Sequence, residues 1–342
     1  MLAPPWLPVP PPSYGGTEAV IDRLARGVVA AGHEVFLWTT GDSTCAVQRG
    51  HVLRWAVTER IGSAVIELRH LIRGYEALRG WGADIIHDHT IVGPVYAHRY
   101  DDLPVVTTSH GPFNEELIDL YRTVAPAVPV IAISHDQAAH AAGFPVAQVI
   151  HHGIDVEEFP FGQGEGDDEG EYFLFLGRMA PEKGARQAAL AARELGVRLL
   201  MAAKMREPLE HAFYQEQVQP LLGDGISYVG EVGHQERVRL LQGARALVNP
   251  IRWSEPFGLV MAEALACGTP VIAFREGSTP ELIDHGVTGY LCDVDDDLAK
   301  RMAEVDQIDR KACRAAADSR FSTQRMVNEH LALYQRLLER AA

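Results

Sequence analysis

From Gly15 onward the apolar positions of the chain recur first at helical and then at strand spacing. A glycine pair leads into TEAVIDRLARGVVAAG, whose apolar residues keep a helical period up to a helix-stopping Gly32, and the β-rich run VFLWTT follows. ADIIHDH, VVTTSH and VIAIS are short apolar strands, each running into polar loop residues, with helical segments between them. A second series of the same kind opens at YFLFLG and continues through RLLMAAK, ISYVGEV, ALVNP and TPVIAF. Strands alternating with helices predict mostly parallel sheets covered on both faces, with ligands gathered beyond the strands' C-terminal ends. His87, Asp88, His89, His110 and Ser134 all fall at such ends.

Between the two series, EEFPFGQGEGDDEGE at 157–171 is acidic, glycine-rich and aperiodic, which predicts a linker. The expected fold is therefore α/β, with two Rossmann-like domains facing a central cleft. Residues 1–160 are expected to form the first and residues 161–321 the second. Residues 322–342, within STQRMVNEHLALYQRLLERAA, form a capped amphipathic helix. The opening MLAPPWLPVPPPSYGGTE reaches a proline-rich loop after three residues, where a strand of about five is usual. The first strand is expected to be clipped, through either a late start or a short edge.

A chain of 342 residues, 47% of them hydrophobic, can fill two cores of ordinary size. Its net charge of −15 argues against a nucleic-acid partner and, less strongly, against adsorption on an anionic membrane. Cys45, Cys267, Cys292 and Cys313 show neither a CxxC pair nor metal-like spacing, as suits reduced thiols filling a core. No run reaches the ~18 apolar residues of a spanning helix, and no charged region precedes an apolar signal core. A soluble, cytoplasmic protein is expected.

Two stretches of the second half carry candidate chemistry. Gly177-Arg178, followed by Glu182-Lys183-Gly184, puts two cations at the end of a strand, a pair that suits a diphosphate; the alternative is an exposed loop of solvated charges. Lysine is scarce in this chain, which makes its use at 183 suggestive. In WSEPFGLVMAEALACG at 253–268, a helix is expected to begin near Phe257 or Gly258 and to stop at Gly268. Its free N–H groups suit an anion, and Gly258 admits a phosphate without a Cβ in the way. Glu263 lies about five residues in, roughly 7 Å along the axis, close to the distance from a nucleotide's phosphates to its ribose. Glu255 then faces the far side of the phosphates. The alternative makes Glu255 a charge complementing the helix dipole and Glu263 a solvated helix residue.

The segment NPIRWSEPFGLVMAEALACGTPVIAFREGSTPELIDHGVTGYL resembles the C-terminal signature of glycosyltransferase family 4, retaining enzymes of the two-domain GT-B architecture. Its two glutamates, with seven residues between them, match that family's glutamate motif. YGGTE at 14–18, SHG at 109–111, HHGID at 151–155, GRMAPEKG at 177–184 and YVGEV at 228–232 match in order. The resemblance implies that Arg178 and Lys183 neutralise the donor diphosphate. It further implies that the backbone at Phe257, Gly258 and Leu259 binds the donor sugar, Glu255 its hydroxyls and Glu263 the ribose. Gly15 and Gly16 would form a mobile loop over the phosphates, His110 would lie near the donor sugar from the opposite domain, and the closing helix would cross back to the first domain. The clipped first strand leaves the mounting of the Gly15–Gly16 loop open.

The function so implied is retaining transfer of a hexose-type sugar from a nucleoside-diphosphate donor to an acceptor hydroxyl, with no cofactor and no metal. A nucleotide-sugar epimerase on the same architecture is the alternative, and would convert donor without an acceptor. A non-catalytic sugar-nucleotide binder is a third reading, disfavoured by the full set Arg178, Lys183, Glu255 and Glu263. His87, Asp88, His89, His110, His151 and His152 lack a supporting carboxylate or thiol pattern and are expected to line a cleft rather than hold a metal. Asp293 and Asp295–Asp297 are expected to cap the helix of DLAKRMAEV. The arginine-bearing 54–80 segment is expected to be an ordinary domain helix rather than a membrane-binding one. Neither the base nor the sugar is encoded by these motifs.

Overall fold

The computed structural model describes all residues except 14, 98, 101, 126, 294–297 and 342. The chain forms two compact units, Met1–Gly153 with Thr323–Ala342, and Ile154–Ser322.

The first unit begins with α1 (Gly16–Ala30), β1 (Phe36–Trp38), β2 (Gln48–Gly50), α2 (Ala64–Trp81) and β3 (Ile86–Asp88). It continues with α3 (Gly93–Ala97), β4 (Val105–Thr108), α4 (Glu115–Val124), β5 (Val130–Ala132), α5 (His135–Ala139) and β6 (Val146–Val149). β1 pairs with β2, and β3 to β6 pair in order, all in parallel. Residues 1–3 join the two sets, since Leu2 bridges both Trp38 and Asp88. The N–H of Leu2 donates to His87 O and that of Ala3 to Trp38 O, each at 2.9 Å. The opening strand is therefore short but central, not an edge. Three residues suffice there because backbone partners on both sides satisfy them.

The second unit runs β7 (Phe173–Arg178), α6 (Ala185–Leu195), β8 (Leu199–Lys204), α7 (Pro208–Phe213), β9 (Ile226–Gly230) and α8 (His234–Gly243). Then come β10 (Leu247–Asn249), α9 (Leu259–Ala266), β11 (Val271–Phe274), α10 (Thr279–Leu282), β12 (Gly289–Cys292), α11 (Leu298–Ala303) and α12 (Arg310–Arg320). Among the described residues its sheet has six parallel strands in the order β12-β11-β10-β7-β8-β9. The apolar runs of the pattern account for the central strands of both sheets. The strands they do not predict, β2, β6 and β12, lie at sheet edges; β2 and β6 are partly exposed, so the apolar demand on them is weaker, whereas the four residues of β12 are buried.

Residues 157–171 are not a free linker. The N–H groups of Gly162, Gly164 and Gly166 donate to the carbonyls of Cys267, Gln242 and Gly243 at 2.9, 3.1 and 2.9 Å. A Cβ on Gly162 would lie 2.4 Å from Gln242 O. The glycines that suggested flexibility allow close backbone approach instead.

The last helix, α13 (Thr323–Ala341), belongs to the first unit. It packs on α1 where Gly27 leaves room: a Cβ there would sit 2.4 Å from a Val327 methyl. Arg325 donates to the carbonyls of His151 and His152 at 2.6 and 3.1 Å. Asp293 faces Arg275 at 3.6 Å, whereas Asp295–Asp297, expected to cap α11, lie outside the described residues. Among the described residues no helix is long and apolar enough to cross a membrane.

Candidate active site

β7 and β10 are neighbours in the sheet, although two strands separate them in sequence. From β7 the chain continues toward β8 and β9, and from β10 toward β11 and β12, on opposite sides. Such a reversal opens a crevice beyond the strand ends, the usual ligand site of an open parallel sheet. The loops that leave these two strands carry Arg178, Lys183, Glu255, Phe257 and Gly258.

The two loops are packed backbone to backbone. Gly184, with φ +77°, precedes α6, and a Cβ there would lie 2.0 Å from Pro250 O. Arg252 N donates to Glu182 O at 2.7 Å. Lys183 is buried and its Nζ donates to Glu255 Oε2. Trp253 Nε1 donates to the same oxygen at 2.7 Å, and the lysine nitrogen sits 5.0 Å from the Trp253 ring centroid. Arg178 pairs with Glu182 at 2.7 Å and Glu210 at 3.4 Å. Burial pushes the Glu210 carboxyl upward, but the N–H groups of Arg206 and Glu207 and the nearby Arg178 and Lys204 outweigh it and hold it below the usual range. Both expected phosphate-binding cations thus rest on carboxylates, not in bulk solvent.

α9 starts at Leu259, with Gly258 as its N-cap at φ +83°, one or two residues later than the sequence predicts. The preceding turn is fixed from below: Ser278 Oγ donates to Phe257 O at 2.7 Å and Ser278 N to Glu255 O at 3.0 Å. Glu263 is buried, not solvated. Its carboxylate faces Arg237 Nε of α8 at 3.4 Å.

In the first unit Gly15 caps α1 and Gly16 is its first residue. A Cβ on Gly15 would lie 2.7 Å from Pro11 Cβ, so this turn is held against the proline-rich segment. His110 shares a hydrogen bond with His89, Nε2 to Nδ1 at 2.9 Å. The rings of His87 and His89 are 4.0 Å apart, and those of His110 and His152 5.2 Å. His87 uses both nitrogens internally, with Tyr334 Oη at 2.6 Å and Thr108 Oγ1 at 2.7 Å. Burial lowers the His110 pKa to about 3 and that of His330 to about 4, with those of His87, His89 and His152 well below the ordinary range. The stack is neutral, and α13 closes it.

Comparison with known proteins fits this architecture. Residues 156–320 match the family model for Glycosyl transferases group 1, and residues 14–158 that for Glycosyltransferase Family 4. The D-inositol 3-phosphate glycosyltransferase of Mycolicibacterium smegmatis is 30% identical over 305 residues, covering 75% of this chain and 68% of that protein. The chain belongs to glycosyltransferase family 4. The glycogen synthase of Mycobacterium tuberculosis is 26% identical to this family 4 enzyme over 370 residues, covering 94% of this chain and 88% of the relative. AviGT4, a glycosyltransferase involved in avilamycin A biosynthesis, superposes with a TM-score of 0.74 at 25% identity over 98% of this chain and 93% of its own. Anabaena HepE, solved in complex with UDP and glucose, gives 0.76 at 18% identity over 98% of both chains. The fold of the glycosyltransferase is GT-B.

Three residues of the enzyme's site region escape a reading of its sequence. Trp253 stands in the quoted motif but has no assigned role until its ring N–H is seen on Glu255. Glu210 and Arg237 lie on helices whose pairing with Arg178 and Glu263 is tertiary; a cation in the first turn of α8 was the only available signal for the latter. Of the 54–80 segment of this glycosyltransferase, residues 64–80 lie in α2, which buries His70, Leu71, Tyr75 and Leu78 as a domain helix does, whereas residues 54–63 precede the helix.

Proposed function

We propose that this family 4 glycosyltransferase moves a hexose-type sugar from a nucleoside diphosphate to an acceptor hydroxyl with retention of configuration and without a metal. The observation that carries the reading is the meeting, at one strand reversal, of Arg178, the Lys183–Glu255 pair and the N-termini of α6 and α9. Cleaving a sugar–phosphate bond moves negative charge onto the diphosphate. Fixed cations and helix N–H groups that bind it more tightly as the charge grows lower the barrier.

In this reading the diphosphate takes over Arg178 and Lys183 from their carboxylate partners, which frees the Glu255 carboxylate to accept from donor-sugar hydroxyls. The backbone at Phe257, Gly258 and Leu259 meets the sugar end, and Glu263 the ribose. The leaving phosphate helps to take the acceptor's proton as the acceptor attacks from the same face. The parts assigned to Gly15, Gly16 and His110 rest on the family resemblance. HepE has also been solved in complex with UDP-glucose, which makes that nucleotide sugar a natural first donor to try.

A thermal-shift panel of nucleoside diphosphates and their sugars tests this. One base should raise the melting temperature as a diphosphate and as a nucleotide sugar, by mass action. A panel that leaves the melting temperature unmoved throughout overturns the donor assignment. Incubation with donor alone should yield no epimerised sugar.

A further inference from the structure

We propose that Arg237 completes a hydroxyl-reading pair with Glu263, so that a ribose hydroxyl of the donor donates to the Glu263 carboxylate and accepts from Arg237 Nε–H. The proposal deepens the donor reading above and rests on it. Glu263 Oε2 and Arg237 Nε face each other at 3.4 Å, yet the Arg237 Nε is shut off from solvent and has no hydrogen-bond partner. A buried guanidinium N–H without a hydrogen-bond partner is costly and rare, and here a carboxylate oxygen lies 3.4 Å away without a hydrogen bond forming. A hydroxyl, at once donor and acceptor, is the neutral group that satisfies both sides.

The surroundings hold the pair in place. Glu263 sits in the second turn of α9, with a side chain only 7% exposed. Arg237 sits in the first turn of α8, and its far end is tied off where Nη2 meets His234 Nδ1 at 3.2 Å. His234 in turn packs edge-on against Phe159, with ring centroids 5.5 Å apart. The guanidinium is therefore anchored on its outer side, with its Nε edge turned inward. Either member of the pair alone would attract a hydroxyl; together they distinguish it from a hydrogen, because a deoxy position leaves both of them unsatisfied.

The test is calorimetric titration with UDP, ADP and GDP and, for each that binds, its 2′-deoxy and 3′-deoxy forms. The intact protein should bind one of the two deoxy forms about tenfold or more weakly, the scale of a lost bond to a charged group. Arg237→Met should weaken the ribonucleotide by a similar factor while leaving that deoxy form nearly unaffected, so that the discrimination falls to within about threefold. Arg237→Lys, which keeps a charge beside Glu263 but not the Nε–H, should lose discrimination as well and serves if the Met variant does not fold. The pairing is overturned if the intact protein binds a nucleoside diphosphate without distinguishing either deoxy form, or if Arg237→Met weakens ribo and deoxy forms alike or changes neither. If no nucleoside diphosphate binds the intact protein, the donor reading itself falls, and the pairing with it.

Discussion

Lys183 and Glu255, 72 residues apart in sequence, form an ion pair that ties the loop after β7 to the loop after β10. Both side chains are mostly buried, at 10% and 15% exposure, and Trp253 contributes a second donor to the same carboxylate oxygen. A buried pair of this kind is weak evidence for stability but strongly sensitive to the loss of one member.

In the proposed mechanism Lys183→Ala removes a phosphate contact and leaves Glu255 unneutralised beside the phosphates, and should therefore cost on the order of 2 kcal/mol or more in donor binding and turnover. Adding Glu255→Gln should recover part of the donor affinity but not kcat. Calorimetry and steady-state kinetics on the single and double variants separate the two effects; unchanged kinetics in Lys183→Ala would remove the diphosphate assignment.

Gly184→Ala should destabilise the second unit by about 2 kcal/mol or more, because the new methyl meets Pro250 O in a backbone conformation with φ +77°. Gly196, at φ +64° with open space around it, is the control. Alanine there should cost about 1 kcal/mol, from backbone conformation alone. Thermal melts of the two variants compare them directly.

The histidine stack makes the first unit acid-sensitive. His87, His89, His110, His152 and His330 have folded pKa values depressed below 6.5, burial being the largest cause of each. Below about pH 6.5 the unfolded chain takes up protons that the folded chain refuses, so stability is lost as pH falls. Each imidazole contributes about 1.4 kcal/mol per pH unit until its folded value is reached. Asp88 works the other way: burial raises it to about 6, so it gains a proton in the fold before its unfolded counterpart does. One carboxyl offsets only part of the loss. The buried Met1 amino group, lowered by burial to about 5, acts in the same sense from about pH 8 downward. The melting temperature should therefore decline gently below pH 8 and steeply below about 6.5; a level profile down to pH 5 would contradict a neutral stack.

Turnover should survive a chelator at full rate. The charge that develops on the diphosphate is met in the proposed mechanism by Arg178, Lys183 and helix N–H groups. Activity lost in EDTA and restored only by a divalent cation would replace that mechanism with a metal-assisted one.

The sequence displays its central strands because a strand buried on both faces must be apolar throughout, as in YFLFLG and RLLMAAK. It hides the edge strands β2 and β6, whose residues are partly exposed and mixed in character. The glutamates at 255 and 263 are legible because a short helix fixes their spacing, and local spacing survives in a linear text. Arg237, which faces Glu263, is not legible, because which cation meets which carboxylate depends on how α8 packs beside α9; Trp253 is only two residues from Glu255, but the direction of its ring is set by the folded loop. The glycines of 157–171 misled for a related reason: glycine permits both a loose chain and a tight approach, and only the neighbouring carbonyls decide between them.

The first unit is assembled from two stretches of chain with the whole of the second inserted between them. During synthesis its sheet emerges early but lacks the helix that supplies Met326, Val327, Leu333 and Tyr334 to its core. The later unit already has every residue it needs before that helix leaves the ribosome. The order of completion is thus the reverse of the order of translation, and the nascent amino-terminal half waits with its imidazoles open to water. A premature stop that removes only the final helix would leave the loops after β7 and β10 intact and strand the other half unfinished, a product for proteases to clear.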